Sequence, residues 1–197
     1  MTRKARLIYN PVSGHEQMPK NVADILDVLE QAGYEASAFR TTPEENSARN
    51  EATRAAKEGF DLIVAAGGDG TINEVVNGIA FLENRPKMAI IPAGTTNDYA
   101  RALAIPRDNI PDAAKVILKN KTRKMDIGKA VFGDQIQYFV NIAASGSFTE
   151  LTYGVPSEVK SALGYAATLI KGPELLTPLT AYEIVLLYYD GFHEGNL

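Results

Sequence analysis

The chain of 197 residues has no cysteine, no tryptophan, only two histidines and no surplus of positive charge. Each absence removes a class of protein. Without cysteine there is no disulfide framework and no thiolate metal site, which fits a reducing compartment and makes the cytoplasm the expected location. His15 and His193 lie far apart with no metal-ligand spacing, so they read as surface residues. A net charge of -4 argues against broad affinity for nucleic acid, and no nucleic-acid partner is expected, although such an average still permits a local basic face. No apolar run reaches the roughly 18 residues of a bilayer span, and Leu7 to Tyr9 behind the first basic residues is too short for a signal peptide. What is present, 45% hydrophobic and 22% charged residues, is the balance of a globular protein, and 197 residues suffice for one sizeable core or for one complete domain and part of a second.

Up to about Ile105 strand and helix patterns alternate. Ala5 to Tyr9 is a short apolar run closed by the turn-forming residues N-P-V-S-G. Val22, Ile25, Leu26, Val28 and Leu29 keep a helical period that Gly33 stops. Tyr34 to Phe39 alternates as a strand. T-P-E-E at 42–45 is expected to open a helix with acids in its first turn, packed through Ala48, Ala52, Ala55 and Ala56 and ended by Gly59. Residues 60–66 read as a buried strand, 71–80 as a helix and 87–92 as a strand. The repeat predicts an α/β fold, a mostly parallel sheet with flanking helices, whose ligands collect at the carboxyl ends of the strands where the order reverses.

Beyond Lys121 the pattern becomes β-rich. Two runs around Gly133 and Asp134 read as a hairpin, Val159 to Ile170 as a helix, and Tyr182 onward as the start of another hairpin. The expected division is a nucleotide-binding α/β domain at 1–125 and the start of a β-rich second domain at 126–197. A last turn with no further strand to pair leaves an open sheet edge, so the chain is expected to be incomplete.

Three polar, glycine-bearing loops follow strands: N-P-V-S-G at 10–14, G-G-D-G-T at 67–71 and P-A-G-T-T-N-D at 92–98. At one sheet edge they form one crevice. Gly68 and Gly70 let a ligand approach the backbone, and Thr71 with Glu74 fits a capping box, so a helix is expected to start near Thr71 with its free N–H groups toward an anion. Alone, G-G-D-G-T also reads as an ordinary tight turn. The chain lacks G-x-x-x-x-G-K-[ST] and lacks G-x-G-x-x-G at its first helix, and Ser13 and Ser145 have no triad context. Walker-type, dinucleotide-binding and serine-hydrolase chemistries are therefore disfavoured.

In this order and spacing N-P-V-S-G, G-G-D-G-T-I-N-E-V-V-N-G and P-A-G-T-T-N-D-Y-A-R, with M-D-I-G at 125–128 and A-A-S-G at 143–146, resemble the diacylglycerol kinase catalytic-domain family and its soluble bacterial lipid kinases. G-G-D-G-T by itself is shared with NAD kinases and 6-phosphofructokinase-like enzymes of similar fold. The resemblance implies an NAD kinase/diacylglycerol kinase-like fold with ATP over the loops. Asn10, Pro11, Val12, Ser13 and Gly14 would meet its phosphates, Thr41 would contribute from the second strand, Gly68, Asp69, Gly70, Thr71, Ile72, Asn73 and Glu74 would form the main loop, and Thr95 would complete the pocket. Asp98 and Asp126 are implied members of a polar network toward the lipid, while Asp98 also reads as a first-turn acid of the helix D-Y-A-R-A-L and Asp126 as the cap of a strand turn.

A carboxylate among phosphates is repulsive unless a cation intervenes, so the expectation for Asp69 is that it holds Mg²⁺ of Mg-ATP, directly or through a water. The implied reaction is ATP-dependent phosphorylation of the free hydroxyl of diacylglycerol to phosphatidic acid, at the cytoplasmic face of the inner membrane through peripheral contact. The general base is expected beyond Leu197, and a homodimer is left open. His15, Lys20 and Lys171 stand where membrane-facing basic residues are implied, although lysines in such a setting are more often just solvated surface. An NAD kinase-like phosphotransferase and a nucleotide-binding fragment without activity are the alternative readings.

Overall fold

Leu62 to Gly67 is apolar at every position, and this strand is buried along its whole length, as a central strand covered on both faces must be. In the computed structural model, which describes residues 2–14, 17–132 and 134–140, it is β3 of a four-stranded parallel sheet. The other strands are β1 (Arg3–Tyr9), β2 (Tyr34–Arg40) and β4 (Lys87–Pro92), in the order β2-β1-β3-β4. The chain steps from β1 outward to β2 and returns to the other side of β1 for β3, so the order reverses between β1 and β3. Ligand crevices of open α/β sheets form at that point, beyond the strand ends.

Helices α1 (Val22–Gln31), α2 (Ser47–Lys57), α3 (Asp69–Ile79), α4 (Asp98–Ala102) and α5 (Ile110–Lys115) cover the sheet. Alternating strand residues sort between two cores. Leu7, Val64, Ala66 and Ile91 meet Ile25 and Leu29 of α1 with Ala113 and Ala114 of α5. Ile8, Ile63, Ala65 and Ile90 join Ala48, Ala52 and Ala55 of α2 with Ile72, Val75 and Ile79 of α3. Each fully buried Leu or Ile adds roughly 1.5–3 kcal/mol relative to exposure, so the sheet is held from both faces.

The alanine face of α2 lets it approach α3 closely. A Cβ at Gly78 would lie 2.5 Å from the Arg49 carbonyl oxygen, so only glycine fits at this crossing. Thr53 Oγ1 donates to the Gly78 carbonyl at 2.8 Å across the same seam. Two helix starts differ from the sequence expectation. Helix α2 begins at Ser47, after Asn46 at φ 61°, and has no acid in its first turn. Glu44 and Glu45 precede it, in a loop tied by Thr42 N–H to Ser47 Oγ at 3.0 Å. Helix α3 begins at Asp69, two residues before the expected Thr71, with Gly68 as its cap residue and no side-chain cap.

Strands β5 (Gly128–Phe132) and β6 (Gln135–Phe139) form the antiparallel hairpin expected around Gly133 and Asp134. Residues 1–143 make one compact unit, which includes this hairpin. The expected helix at 159–170 and the hairpin after Tyr182 lie outside the described residues. No helix among the described residues is long and apolar enough to cross a membrane.

Candidate functional site

The strand ends are kept in step by bonds that extend the parallel ladder. Thr41 N–H donates to the Tyr9 carbonyl at 2.9 Å, Asn10 N–H to Ala66 at 3.0 Å and Ala93 N–H to Gly67 at 2.9 Å. The loops after all four strands therefore start from one edge. They also touch. A Cβ built on Gly14, which has φ +64°, would stand 3.5 Å from Ala93 Cβ, and one on Gly94 would come within 2.6 Å of Gly68 Cα. No side chain fits between the second and third glycine-bearing loops. Their backbones pack directly, which is why both carry glycine there.

Within the first loop Asn10 makes its own turn, its Oδ1 accepting from Val12 N–H at 3.1 Å, and Val12 projects outward with 63% of its surface exposed. In the third loop Asn97 is buried and left-handed at φ 50°. Its Oδ1 accepts from Gly94 N–H and its Nδ2 donates to the Gly94 carbonyl, both at 2.7 Å. The side-chain amide thus replaces a peptide partner and fixes the loop around Gly94, Thr95 and Thr96.

Asp69, the first residue of α3, is turned toward that loop. Thr96 Oγ1 donates to Asp69 Oδ2 at 3.0 Å, and the N–H groups of Asp98 and Tyr99 approach its two oxygens at 3.4 and 3.5 Å. The carboxylate therefore meets the positive end of α4, where an acid is favoured. The capping box expected from Thr71 and Glu74 does not form. Glu74 Oε2 instead accepts from Ala48 N–H at 2.9 Å and Arg49 N–H at 3.4 Å, supplying α2 with the acid its own first turn lacks. One helix therefore caps two others.

The structure brings Asn10, Gly14, Gly68, Asp69 and the Gly94 to Thr96 turn together, with Thr41 starting the neighbouring loop at the same edge. It turns two others away from that edge. Ile72 is buried in the core beneath α2 and α3, and the carboxylate of Glu74 is engaged with α2, so neither side chain faces the crevice. Asn73 is exposed on α3, Gly70 and Thr95 are exposed at the rim, and Thr71 is buried against Gly67. Asp98 and Asp126 are both exposed, and neither carboxylate accepts a hydrogen bond among the described residues. Lys20 is exposed, whereas His15 and Lys171 lie outside the described residues.

Sequence reading missed Thr96 and Asn97, and also Asn77, which is buried on α3. A signal for Asn77 was present, because an amide inside the apolar run V-V-N-G-I has to find polar partners when buried.

The diacylglycerol kinase catalytic domain family matches residues 4–130. The chain is 50% identical over 199 residues to a diacylglycerol kinase of Bacillus subtilis (strain 168), covering 99% of this chain and 63% of that protein. It is 48% identical over 196 residues to one of Staphylococcus haemolyticus (strain JCSC1435), covering 100% of this chain and 58% of that protein. Its fold is similar to the crystal structure of a diacylglycerol kinase from Bacillus anthracis str. Sterne, with TM-score 0.58, 39% sequence identity, 64% of this chain and 46% of that chain covered. The chain spans about three fifths of the length of these curated relatives, 63% and 58%. By this match and by the loops that carry it, the chain belongs to the diacylglycerol kinase catalytic domain family.

Proposed function

We propose that this chain holds the ATP site of a lipid kinase that transfers the γ-phosphoryl group to the free hydroxyl of diacylglycerol. The observation that carries the reading is the backbone-lined edge where loops 10–14, 67–71 and 93–98 meet around Asp69. These loops contain no Lys or Arg, so a polyphosphate there finds amide dipoles, hydroxyls and the carboxylates of Asp69 and Asp98. Asn10 to Gly14, Thr41, Gly68 to Thr71 and Thr95 are the proposed contacts.

A divalent cation fits this donor set. Asp69 accepts from three donors, and a carboxylate offers about four lone-pair sites, which leaves it one position toward a metal-bound water. One carboxylate with phosphate oxygens and waters suits Mg²⁺, and no cluster of three His, Asp or Glu exists among the described residues to hold a metal without the nucleotide. When bound, the ion supplies charge neutralisation at the phosphates. The chain's own part is positioning: Asn97 and Gly94 shape the third loop, and the Gly68 and Asp69 turn presents it to the first.

In the proposed reaction the lipid hydroxyl oxygen forms a bond to the γ-phosphorus, the bond to the β,γ-bridging oxygen breaks, ADP leaves, and the hydroxyl proton passes to a general base. We place that base beyond Leu197, in the length of the relatives that this chain does not span. Residues 126–197 are proposed to begin the acceptor domain, with peripheral contact at the cytoplasmic membrane face.

The test is ATP-dependent phosphate transfer with Mg²⁺ and diacylglycerol in mixed micelles, by this chain and by a form extended through any natural C-terminal continuation. Transfer by the longer form alone supports the reading and the placement of the base. ATP binding with transfer only to a soluble dinucleotide replaces it by an NAD kinase-like reaction. ATP binding without transfer to any acceptor leaves a nucleotide-binding protein.

A further inference from the structure

Helix α3 does more than carry the glycine loop at its first turn. Eight residues after Asp69, or about 12 Å along the axis, Asn77 is 5% exposed and reaches the hairpin. Its Nδ2 donates to the Tyr138 carbonyl at 2.8 Å and its Oδ1 accepts from Tyr138 N–H at 2.8 Å. The same Nδ2 donates to the Asn73 carbonyl at 2.9 Å, which orients the amide from within the helix. Tyr138 stands opposite Lys129 of β5, yet both of its main-chain groups turn to Asn77. One side chain thus closes a position on the free edge of β6 as a neighbouring strand would, and fixes the register of the hairpin against α3.

We propose that Asn77 is a positioning residue for phosphoryl transfer. It sets the hairpin on the helix whose first residues form the nucleotide loop. The proposal rests on the lipid-kinase reading, in which acceptor groups follow β6 in sequence. Hydrophobic contact alone would hold the hairpin loosely, because Val131 and Ile136 are 60% and 44% exposed. A pair of opposed hydrogen bonds instead defines one register, since a slip by a single residue would present no matching donor and acceptor.

The test uses the chain with any natural C-terminal continuation, Mg²⁺, ATP and diacylglycerol micelles. Asn77→Leu removes both bonds. Tyr138→Pro removes the bond from the main-chain N–H but keeps the carbonyl, at an edge-strand position where proline is tolerated; with Tyr138→Ala as control for the ring it also loses, it serves if the first variant fails to fold. Either folded variant is expected to lose on the order of tenfold in kcat, while Kd for Mg-ATP and KM for ATP stay within about twofold. A merely structural anchor would lower the thermal midpoint without that split. Unchanged kcat in the folded variants, or parallel loss of kcat and nucleotide affinity, overturns the proposal while the lipid-kinase reading stands. A parent protein that phosphorylates no lipid overturns both.

Discussion

Glu51 on α2 and Asp69 at the head of α3 each accept from three donors, but the donors differ in charge. Glu51 is buried against guanidinium groups, with Arg6 Nε at 2.6 Å and two nitrogens of Arg54 at 2.8 and 2.6 Å. Asp69 is held at 3.0 to 3.5 Å by one hydroxyl and two main-chain N–H groups, all neutral. The first acid is neutralised by the fold in short, charge-assisted bonds, whereas the second meets no counter-charge among its donors, beside an open loop. Removing charge at the two places should therefore damage different properties. Asp69→Asn keeps an acceptor for α4 and is expected to lower phosphate transfer by about 100-fold or more, with a stability change of about 1 kcal/mol or less. Unchanged turnover and unchanged affinity for Mg-ATP would reduce Asp69 to a helix cap.

Glu51→Gln reverses the pattern. It leaves the Arg6 guanidinium without a counter-charge in a half-buried place and is expected to cost about 2 kcal/mol in urea unfolding, with nucleotide affinity unchanged. Burial pushes the Glu51 carboxyl up, but the hydrogen bonds from Arg54 and Arg6 outweigh this and hold it below its ordinary value of 4.5. A carboxyl depressed in the folded state contributes stability above its unfolded pKa and loses it as pH falls through the folded pKa. The parent should therefore lose this contribution as pH falls below 4.5 and through the lower folded-state value, and Glu51→Gln should show a shallower loss over the same range. Equal acid sensitivity in both proteins would assign the effect to other carboxylates.

Asn97 lies between these cases, a neutral group whose loss should touch both properties. Asn97→Ala removes two bonds to Gly94 and leaves alanine at φ 50°, a conformation that asparagine tolerates better. A loss of about 1.5 kcal/mol in stability with a several-fold rise in KM for ATP is expected. Asn97→Gly, which accepts the backbone angle, should recover part of the stability but not the KM.

The strands, the hairpin and the loops that form the crevice were legible because each follows from local pattern. Leu62 to Gly67 cannot be other than a covered strand, and the glycines of the loops mark where backbone meets backbone. Apart from Asn97, whose bonds to Gly94 span three positions, the missed features are contacts between residues far apart in sequence. Glu74 looked like the partner of Thr71 three positions away, yet it serves Ala48 and Arg49, because α3 starts earlier and its second turn faces the N-terminus of α2. Asn77 meets Tyr138 across 61 positions, which no spacing rule reports.

Glu74 gives the smallest effect and the finest test of the comparison, since like Asp69 it is an acid of α3 that caps a neighbouring helix. Family resemblance places both in the nucleotide loop, whereas the geometry separates them: Asp69 borders the Gly94 to Thr96 turn, and Glu74 lies between α2 and α3. Glu74→Gln retains an acceptor for Ala48 N–H and loses only the charge at the end of α2, which costs about 0.5 kcal/mol. Turnover and KM for ATP should stay within about twofold of the parent. A loss as large as that of Asp69→Asn would return Glu74 to the site, and the cause would then have to run through α2 into the loop of Thr41 and Thr42, which is tied to α2 at Ser47.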